Sequence, residues 1–328
     1  MGQPISKVWV SGATGFIGAA LRPALVAAGY RVRASTRNLA RAPAAAPGED
    51  WVQADLLSPE TLDGAMEGVD AAYYLVHSMG AGGRDYPQLE RRSAQAFAEA
   101  AARHGLKRVI YLGGVAPQGP PSEHLASRLT VGRILREGRV PAVELRASMV
   151  VGHGSASWQI VRDLAFRLPA MVLPAWVHSR TRPIALQDTI LALVGALTIP
   201  LDGSDWFDIP GPDVLSGRDI LMKIAALRGR RIPAVSIPVL TPYLSAQWLR
   251  LITRADFVLA RELVMGLAED LLPRDERFWE LTGLRPTISF DQAAQAAIAA
   301  EAAVVDPGSW GSALQERLVD LLGPKLKR

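Results

Sequence analysis

The chain contains no cysteine, which excludes disulfides, thiolate metal sites and a cysteine nucleophile. Its five histidines (His77, His104, His124, His153 and His178) are scattered and never fall at metal-ligand spacing, so no metal is expected. No apolar stretch reaches the eighteen or so residues that a membrane-spanning helix needs. The nearest approach, Thr189 to Leu201, reads as a buried helix ending at Pro200. No basic segment followed by a long apolar one opens the chain, so no signal peptide is expected. Met1-Gly2 with Ser6 matches an acylation pattern by chance, since a strand begins almost at once. A reducing cytoplasm is the expected location. Basic excess is also small, a net charge of +4. The short clusters Arg228-Gly229-Arg230-Arg231 and Lys325-Leu326-Lys327-Arg328 carry no stacking aromatics, so they read as solvated surface and no nucleic-acid partner is expected.

What is present is an ordinary soluble composition, 49% apolar and 21% charged over 328 residues, enough for one large or two modest domains. Its most informative stretch follows the apolar run Val8-Trp9-Val10: Ser11-Gly12-Ala13-Thr14-Gly15-Phe16-Ile17-Gly18. The run reads as a strand and Phe16–Ala28 as the helix after it, with Gly29 at its C-terminal cap and Pro23 as a bend. Three glycines at this spacing let backbone pass close to a pyrophosphate, and the helix N-terminus supplies free N–H donors. Gly12, Thr14, Gly15, Phe16, Ile17 and Gly18 are therefore candidate dinucleotide contacts.

Strand candidates recur at Tyr30–Ser35, Trp51–Ala54, Ala71–Val76, Val109–Leu112 and Ala142–Leu145, alternating with helix candidates at Pro59–Glu67, Tyr86–Arg103 and Leu125–Arg136. This alternation predicts an α/β fold, a Rossmann-type doubly wound parallel sheet. Past residue 152 the texture changes. A strand and then a helix capped by Asp188 are predicted over Ile184–Leu197, and a strand over Trp206–Pro210. A helix opened by Ser216 and Asp219 is predicted over Gly217–Arg228, with further helices at Tyr243–Thr253, Asp256–Leu267, Glu276–Leu281 and Gln292–Ala302. The expected organisation is a nucleotide-binding domain over 1–152, rejoined at 184–211. A smaller, mainly helical substrate lobe would comprise 153–183 and 212–328.

The sequence also bears on which nucleotide. No Asp or Glu stands between Gly18 and Glu49, where an NAD-binding fold places the acid for the ribose 2′-hydroxyl. The second strand ends instead in Thr36-Arg37-Asn38, with Arg41 beyond, suited to a 2′-phosphate. NADP(H) is the expected cofactor. Asp55, followed by Leu56, either meets the adenine or caps the helix near Ser58-Pro59.

These residues resemble the short-chain dehydrogenase/reductase superfamily, and most closely its extended and atypical branch that includes the NmrA-like NAD(P)H-binding proteins. The likeness rests on residues 11–18, Ser-Thr-Arg-Asn at 35–38 and Ala-Asp-Leu-Leu at 54–57. Val-Ile-Tyr-Leu-Gly-Gly at 109–114, Leu-Arg-Ala-Ser at 145–148 and Phe-Asp-Ile-Pro-Gly-Pro at 207–212 extend it over nearly the whole chain. It implies NADP(H) and a C-terminal substrate lobe. Family reductases also use a Tyr-x-x-x-Lys pair with a serine, and here the pattern departs. No tyrosine has a lysine four residues later; His124 falls at the tyrosine position, Arg128 at the lysine position and Gly113-Gly114 at the serine.

His124, with an ordinary pKa near 6.5, either delivers a proton near neutrality or is a surface histidine on the loop Pro120–Leu125. Arg128 suits a ribose or a substrate oxyanion. His77 ends the fourth strand after Tyr73 and Tyr74, which are read as packing residues. His77 is the third catalytic candidate, and Val76, His77, Leu112 and Arg128 complete the cofactor set. Ser78, Gly114, Ser155 and Trp158 are candidate substrate contacts, Ser155 and Trp158 through the turn Gly152-His153-Gly154. Apolar stretches at Phe166–Val177, Tyr243–Leu251 and Phe257–Leu267 either line a cleft for a small hydrophobic substrate or form the lobe's own core. Arg162, Arg180 and Arg182 leave room for an anionic group. Three functions follow: an NADP(H)-dependent oxidoreductase, a nucleotide-sensing regulator, or an NADPH-binding subunit with peripheral membrane contact.

Overall fold

The computed structural model describes residues 4–42, 49–77, 85–167, 171–229, 234–237 and 269–304. Six parallel strands alternate with helices through the first half. They are β1 (Lys7–Val10), β2 (Arg31–Thr36), β3 (Glu49–Gln53), β4 (Ala71–Tyr74), β5 (Arg108–Gly114) and β6 (Ala142–Ala147). A seventh, β7 (Asp205–Asp208), joins beside β6, giving the order β3-β2-β1-β4-β5-β6-β7. The order reverses between β1 and β4, the switch point at which such sheets open a crevice for ligands.

Every residue of β4 and β6 is buried, as a sheet covered on both faces requires. Helices α1 (Phe16–Ala27) and α6 (Leu186–Gly195) cover one face, packing Leu21, Leu25, Ala192 and Leu193 on Val8, Val10, Tyr73 and Val143. The other face carries α2 (Glu60–Met66), α3 (Tyr86–Arg103) and α4 (Glu123–Glu137), whose Met66, Phe97 and Val131 meet Trp9, Tyr74 and Tyr111. Tyr73 and Tyr74 thus point to opposite faces, as strand pleating demands. Both are core residues: Tyr73 Oη donates to Leu193 O at 3.0 Å, and Tyr74 packs edge-on against Phe97.

A second core lies outside the sheet. It joins α5 (Ala156–Arg167), α7 (Gly217–Ala226) and α9 (Phe290–Val304) through Trp158, Val161, Ile220, Ile224, Phe290 and Ala294. A short helix, α8 (Arg277–Thr282), packs Phe278 on the sheet layer. α7 begins with the predicted capping pair: Ser216 Oγ accepts from Asp219 N, and Asp219 accepts from Ser216 N at 3.0 Å. The expectation for Asp188 is corrected. The N-cap of α6 is Ala185, and Asp188 sits buried in the first turn, where it accepts from Ile288 N at 3.0 Å. The predicted helices at 243–253 and 256–267 lie outside the described residues. Among the described residues, no helix is long and apolar enough to cross a membrane.

Candidate active site

The glycine loop leaves β1 at the switch point and is stapled there. Ser11 Oγ donates to Tyr73 O at 2.7 Å and accepts from Leu75 N at 3.1 Å, tying the loop to the end of β4. From the far side, buried Arg22 donates to Ala13 O at 3.2 Å while it pairs with Glu49 and lies over Trp51. Gly12 holds φ +65°, and a Cβ there would meet Leu75 O at 2.6 Å. At Gly18 a Cβ would meet Gly12 O at 2.3 Å, so this glycine lets α1 rise directly from the loop. The N-cap of α1, Gly15, offers no side-chain acceptor, and the first turn holds no acidic residue. Its N–H groups are left for an anion.

A cavity of about 570 Å³ opens from this loop. Gly12, Gly15, Phe16, Ile17 and Gly18 line one end; Ile160, Val161 and Leu164 of α5 with Ile220 and Leu221 of α7 line the other. Between them stand His77, Leu112, Gly114, His124 and Arg128. Arg128 is half-buried on α4. Its Nη2 donates to Leu112 O at 2.6 Å, and its Nη1 lies 2.7 Å from His77 Nε2. Behind this pair, buried Glu90 of α3 accepts from Ser127 Oγ at 2.5 Å and lies 3.9 Å from His77 Nδ1. A Cβ at Gly114 would come within 2.7 Å of Leu125 Cδ1 and 3.6 Å of Arg128 Nε. The place where the superfamily's serine falls is thus filled by the first turns of α4.

A family model described as NAD(P)H-binding matches residues 12–166, the stretch that holds the loop, His77, His124 and Arg128. No curated protein matches the sequence. Among solved structures, UDP-glucose 4-epimerase from Thermotoga maritima with UDP-glucose superposes with TM-score 0.69 at 13% identity, over 92% of this chain and 100% of that one. UDP-glucuronic acid 4-epimerase from Bacillus cereus in complex with NAD gives 0.69 at 17% identity, over 92% and 100%. The Bordetella bronchiseptica enzyme WbmG in complex with NAD gives 0.66 at 12%, over 92% and 96%. The NAD(P)H-binding match over residues 12–166 and the likeness to these structures give the chain a Rossmann-type fold with a nicotinamide-nucleotide-binding region. The residues present fit the nicotinamide dinucleotide that the NAD(P)H-binding match implies: a glycine loop with no room for a Cβ, uncapped helix N–H groups, and the exposed Arg37 at the end of the neighbouring strand β2.

Among the described residues, the tyrosine and lysine of the short-chain dehydrogenase/reductase pattern have no counterpart at the cavity. None of the described tyrosines (30, 73, 74, 86 and 111) or lysines (7, 107 and 223) lines it; Tyr111 Oη donates instead to Arg128 O at 3.1 Å. Thr36 and Asn38 shape the turn after β2, with Thr36 Oγ1 accepting from Asn38 N and Asn38 Oδ1 from Ala40 N. Thr14 is exposed on the loop, and Val76 flanks Gly12 with its Cγ2. Asp55 caps no helix; its Oδ1 accepts from Leu57 N in a local turn, and Leu56 is buried in the core beneath the sheet. Ser155 lines the cavity, Ser78 lies outside the described residues, and the placement of Trp158 corrects its reading as a substrate contact. On α5 the cavity face is Ser157, Ile160, Val161 and Leu164, spaced i, i+3, i+4 and i+7. Trp158 points about 100° away, is fully buried, and donates from Nε1 to Glu301 at 2.9 Å. That helical stripe was the signal by which sequence reasoning could have found the apolar wall. Arg162, Arg180 and Arg182 are also corrected: each pairs with carboxylates, namely Asp163 and Glu301, Asp270, and Glu276, and none lines the cavity. Among the described residues no cluster of His, Asp or Glu is arranged to hold a metal.

His124 stands in the first turn of α4 rather than on a loop, and its environment corrects its reading as a proton donor near neutrality. Burial, with the Arg128 guanidinium beside it, lowers its pKa to about 3. Burial and the same guanidinium hold His77 well below the usual histidine range. Both rings are neutral at pH 7. The sign of the linkage follows: below pH ~6.5 the unfolded chain protonates His124 while the folded chain does not. Stability is therefore expected to fall as pH drops from 6.5 toward 3, by up to about 1.4 kcal/mol per pH unit for this group. Urea midpoints at pH 7 and pH 5 check this, and His124→Gln flattens the difference.

Proposed function

We propose that the protein is an NADP(H)-dependent oxidoreductase acting on an apolar carbonyl or conjugated small molecule. The observation that carries this reading is the single cavity running from the glycine loop, past Arg128 and the two neutral histidines, to a wall of aliphatic side chains. Hydride chemistry comes with the bound nicotinamide. The chain's own part is to orient and to stabilise. Arg128, fixed by Leu112 O, offers a permanent positive charge to an oxygen that gains negative charge. His124 Nδ1 is buried without a partner and is available to the same oxygen. The aliphatic wall excludes water and strengthens both contacts. With both histidines neutral and no carboxyl group lining the cavity among the described residues, the proton comes from solvent. A sugar nucleotide suits this wall poorly, because the cavity's serine hydroxyls are engaged locally: Ser122 caps α4, Ser148 donates to Arg182 O, and Ser155 bonds Val150 O and Ser157.

Loss of absorbance at the reduced-nicotinamide band, with a panel of apolar ketones, enals and quinones, tests the reading. Turnover with at least one class is expected. A second reading, a nucleotide-sensing regulator of the NmrA-like kind, is favoured by the missing tyrosine and lysine. It predicts no turnover and unequal affinity for oxidised and reduced coenzyme. The preference for NADP(H) rests on Arg37, which is exposed and has no hydrogen-bond or ion-pair partner among the described residues. Arg37→Ala is expected to weaken NADPH binding about tenfold to a hundredfold, the worth of one charge-assisted bond, and to leave NADH binding unchanged. Fluorescence titration of both coenzymes measures it.

A further inference from the structure

Among the described residues the cavity is lined by one permanent charge and by no carboxylate. That charge, Arg128, has no carboxylate within ion-pair distance among the described residues; its guanidinium meets only Leu112 O and the neutral ring of His77. Several buried or half-buried guanidinium groups of this fold are neutralised, Arg22 by Glu49, Arg136 and Arg146 by Glu144, Arg162 by Asp163 and Glu301, and Arg108, which has no carboxylate, is instead held by four backbone carbonyls, where Arg128 has one. His124 Nδ1, on the turn of α4 that precedes Arg128, is also buried and unpartnered. A guanidinium without a counter-charge and an unpartnered imidazole nitrogen thus share one spot in a largely apolar chamber. A cationic molecule is repelled by the guanidinium, and a neutral hydroxyl supplies no counter-charge.

We infer that the substrate is an apolar monocarboxylate whose carboxylate is received by Arg128 and His124, with its hydrocarbon body against α5 and α7. The inference rests on the oxidoreductase reading and narrows it: the compound is a conjugated acid, and its carboxylate oxygens are those that gain charge when hydride adds to the β-carbon. An anion completes the missing ion pair, and a planar carboxylate matches the donor fork of a guanidinium. Aliphatic Ile160, Val161, Leu164 and Ile220 supply the surface for the rest of the molecule.

The test uses the full chain saturated with NADPH, which keeps the phosphate cradle filled and brings no positive nicotinium ring. Calorimetry compares octanoate and cinnamate with their methyl esters, which match in shape and lack the charge. Each acid is expected to bind about thirtyfold more tightly than its ester, a charge-assisted contact. Arg128→Met is expected to reduce that preference to about threefold or less, and Arg128→Lys to retain most of it. Acid and ester binding within threefold of each other on the wild type, or no binding of either acid, overturns the inference, whether or not the variants fold. Failure of NADPH itself to bind strikes the oxidoreductase reading instead, so the two are told apart in the first titration.

Discussion

Gly12→Ala is expected to weaken NADP(H) binding about a hundredfold or more, the loss of two or more charge-assisted N–H contacts at roughly 1.5–3 kcal/mol each. Two independent effects act at this one atom. The left-handed backbone, φ +65°, costs an L-residue about 1–2 kcal/mol. The added Cβ also meets backbone, Leu75 O at 2.6 Å and Leu75 C at 3.0 Å. Backbone at the end of β4 cannot rotate aside as a side chain can, so the loop must lift. Ser11, whose Oγ bridges Tyr73 O and Leu75 N, resists that movement and turns it into strain. Folding should survive, because the loop is at the sheet's rim and the core of β1 is untouched. The decisive readout is therefore a thermal melt with and without NADPH: the variant unfolds cooperatively, and the coenzyme no longer raises its midpoint.

Arg128→Met is expected to lower kcat/KM about a hundredfold to a thousandfold, the usual cost of removing one donor aimed at developing charge. Methionine keeps the length and apolar stem, so packing against Gly114 is preserved while the charge is lost. Arg128→Lys restores the charge without the two-pronged geometry and is expected to recover only part of the rate. Because the guanidinium also donates to Leu112 O, the loss includes some positioning of the β5 end, which a parallel loss of stability of about 1 kcal/mol reports. Stopped-flow single turnovers on coenzyme-saturated protein separate this from weaker coenzyme binding.

Much of the fold is legible in the residues. Parallel strands buried on both faces leave short apolar runs, and Ala71–Tyr74 and Ala142–Ala147 show them clearly. Helix α3 spans Tyr86–Arg103, the stretch that its periodicity predicts. The glycine spacing is legible because it answers a local demand: a left-handed residue and a helix too close for a Cβ. What the residues do not disclose is burial set by distant partners. Asp188 looks like a cap but meets Ile288, a hundred residues on. His124 looks like a titrating histidine until the fold buries it, with Arg128 one helical turn further on. Arg180 and Arg182 look free for a ligand until Asp270 and Glu276 arrive from the far end of the chain. Glu144, a buried acid held between Arg136 and Arg146, gives no sequence signal at all, since an isolated Glu in a strand pattern reads as solvent-facing.

Calorimetric titration of the purified chain with NADPH and NADH bears most directly on the account as a whole. One NADPH per chain, bound at least tenfold more tightly than NADH and displaced by adenosine 2′,5′-bisphosphate, is the predicted result. No heat and no shift in melting with either coenzyme would contradict it.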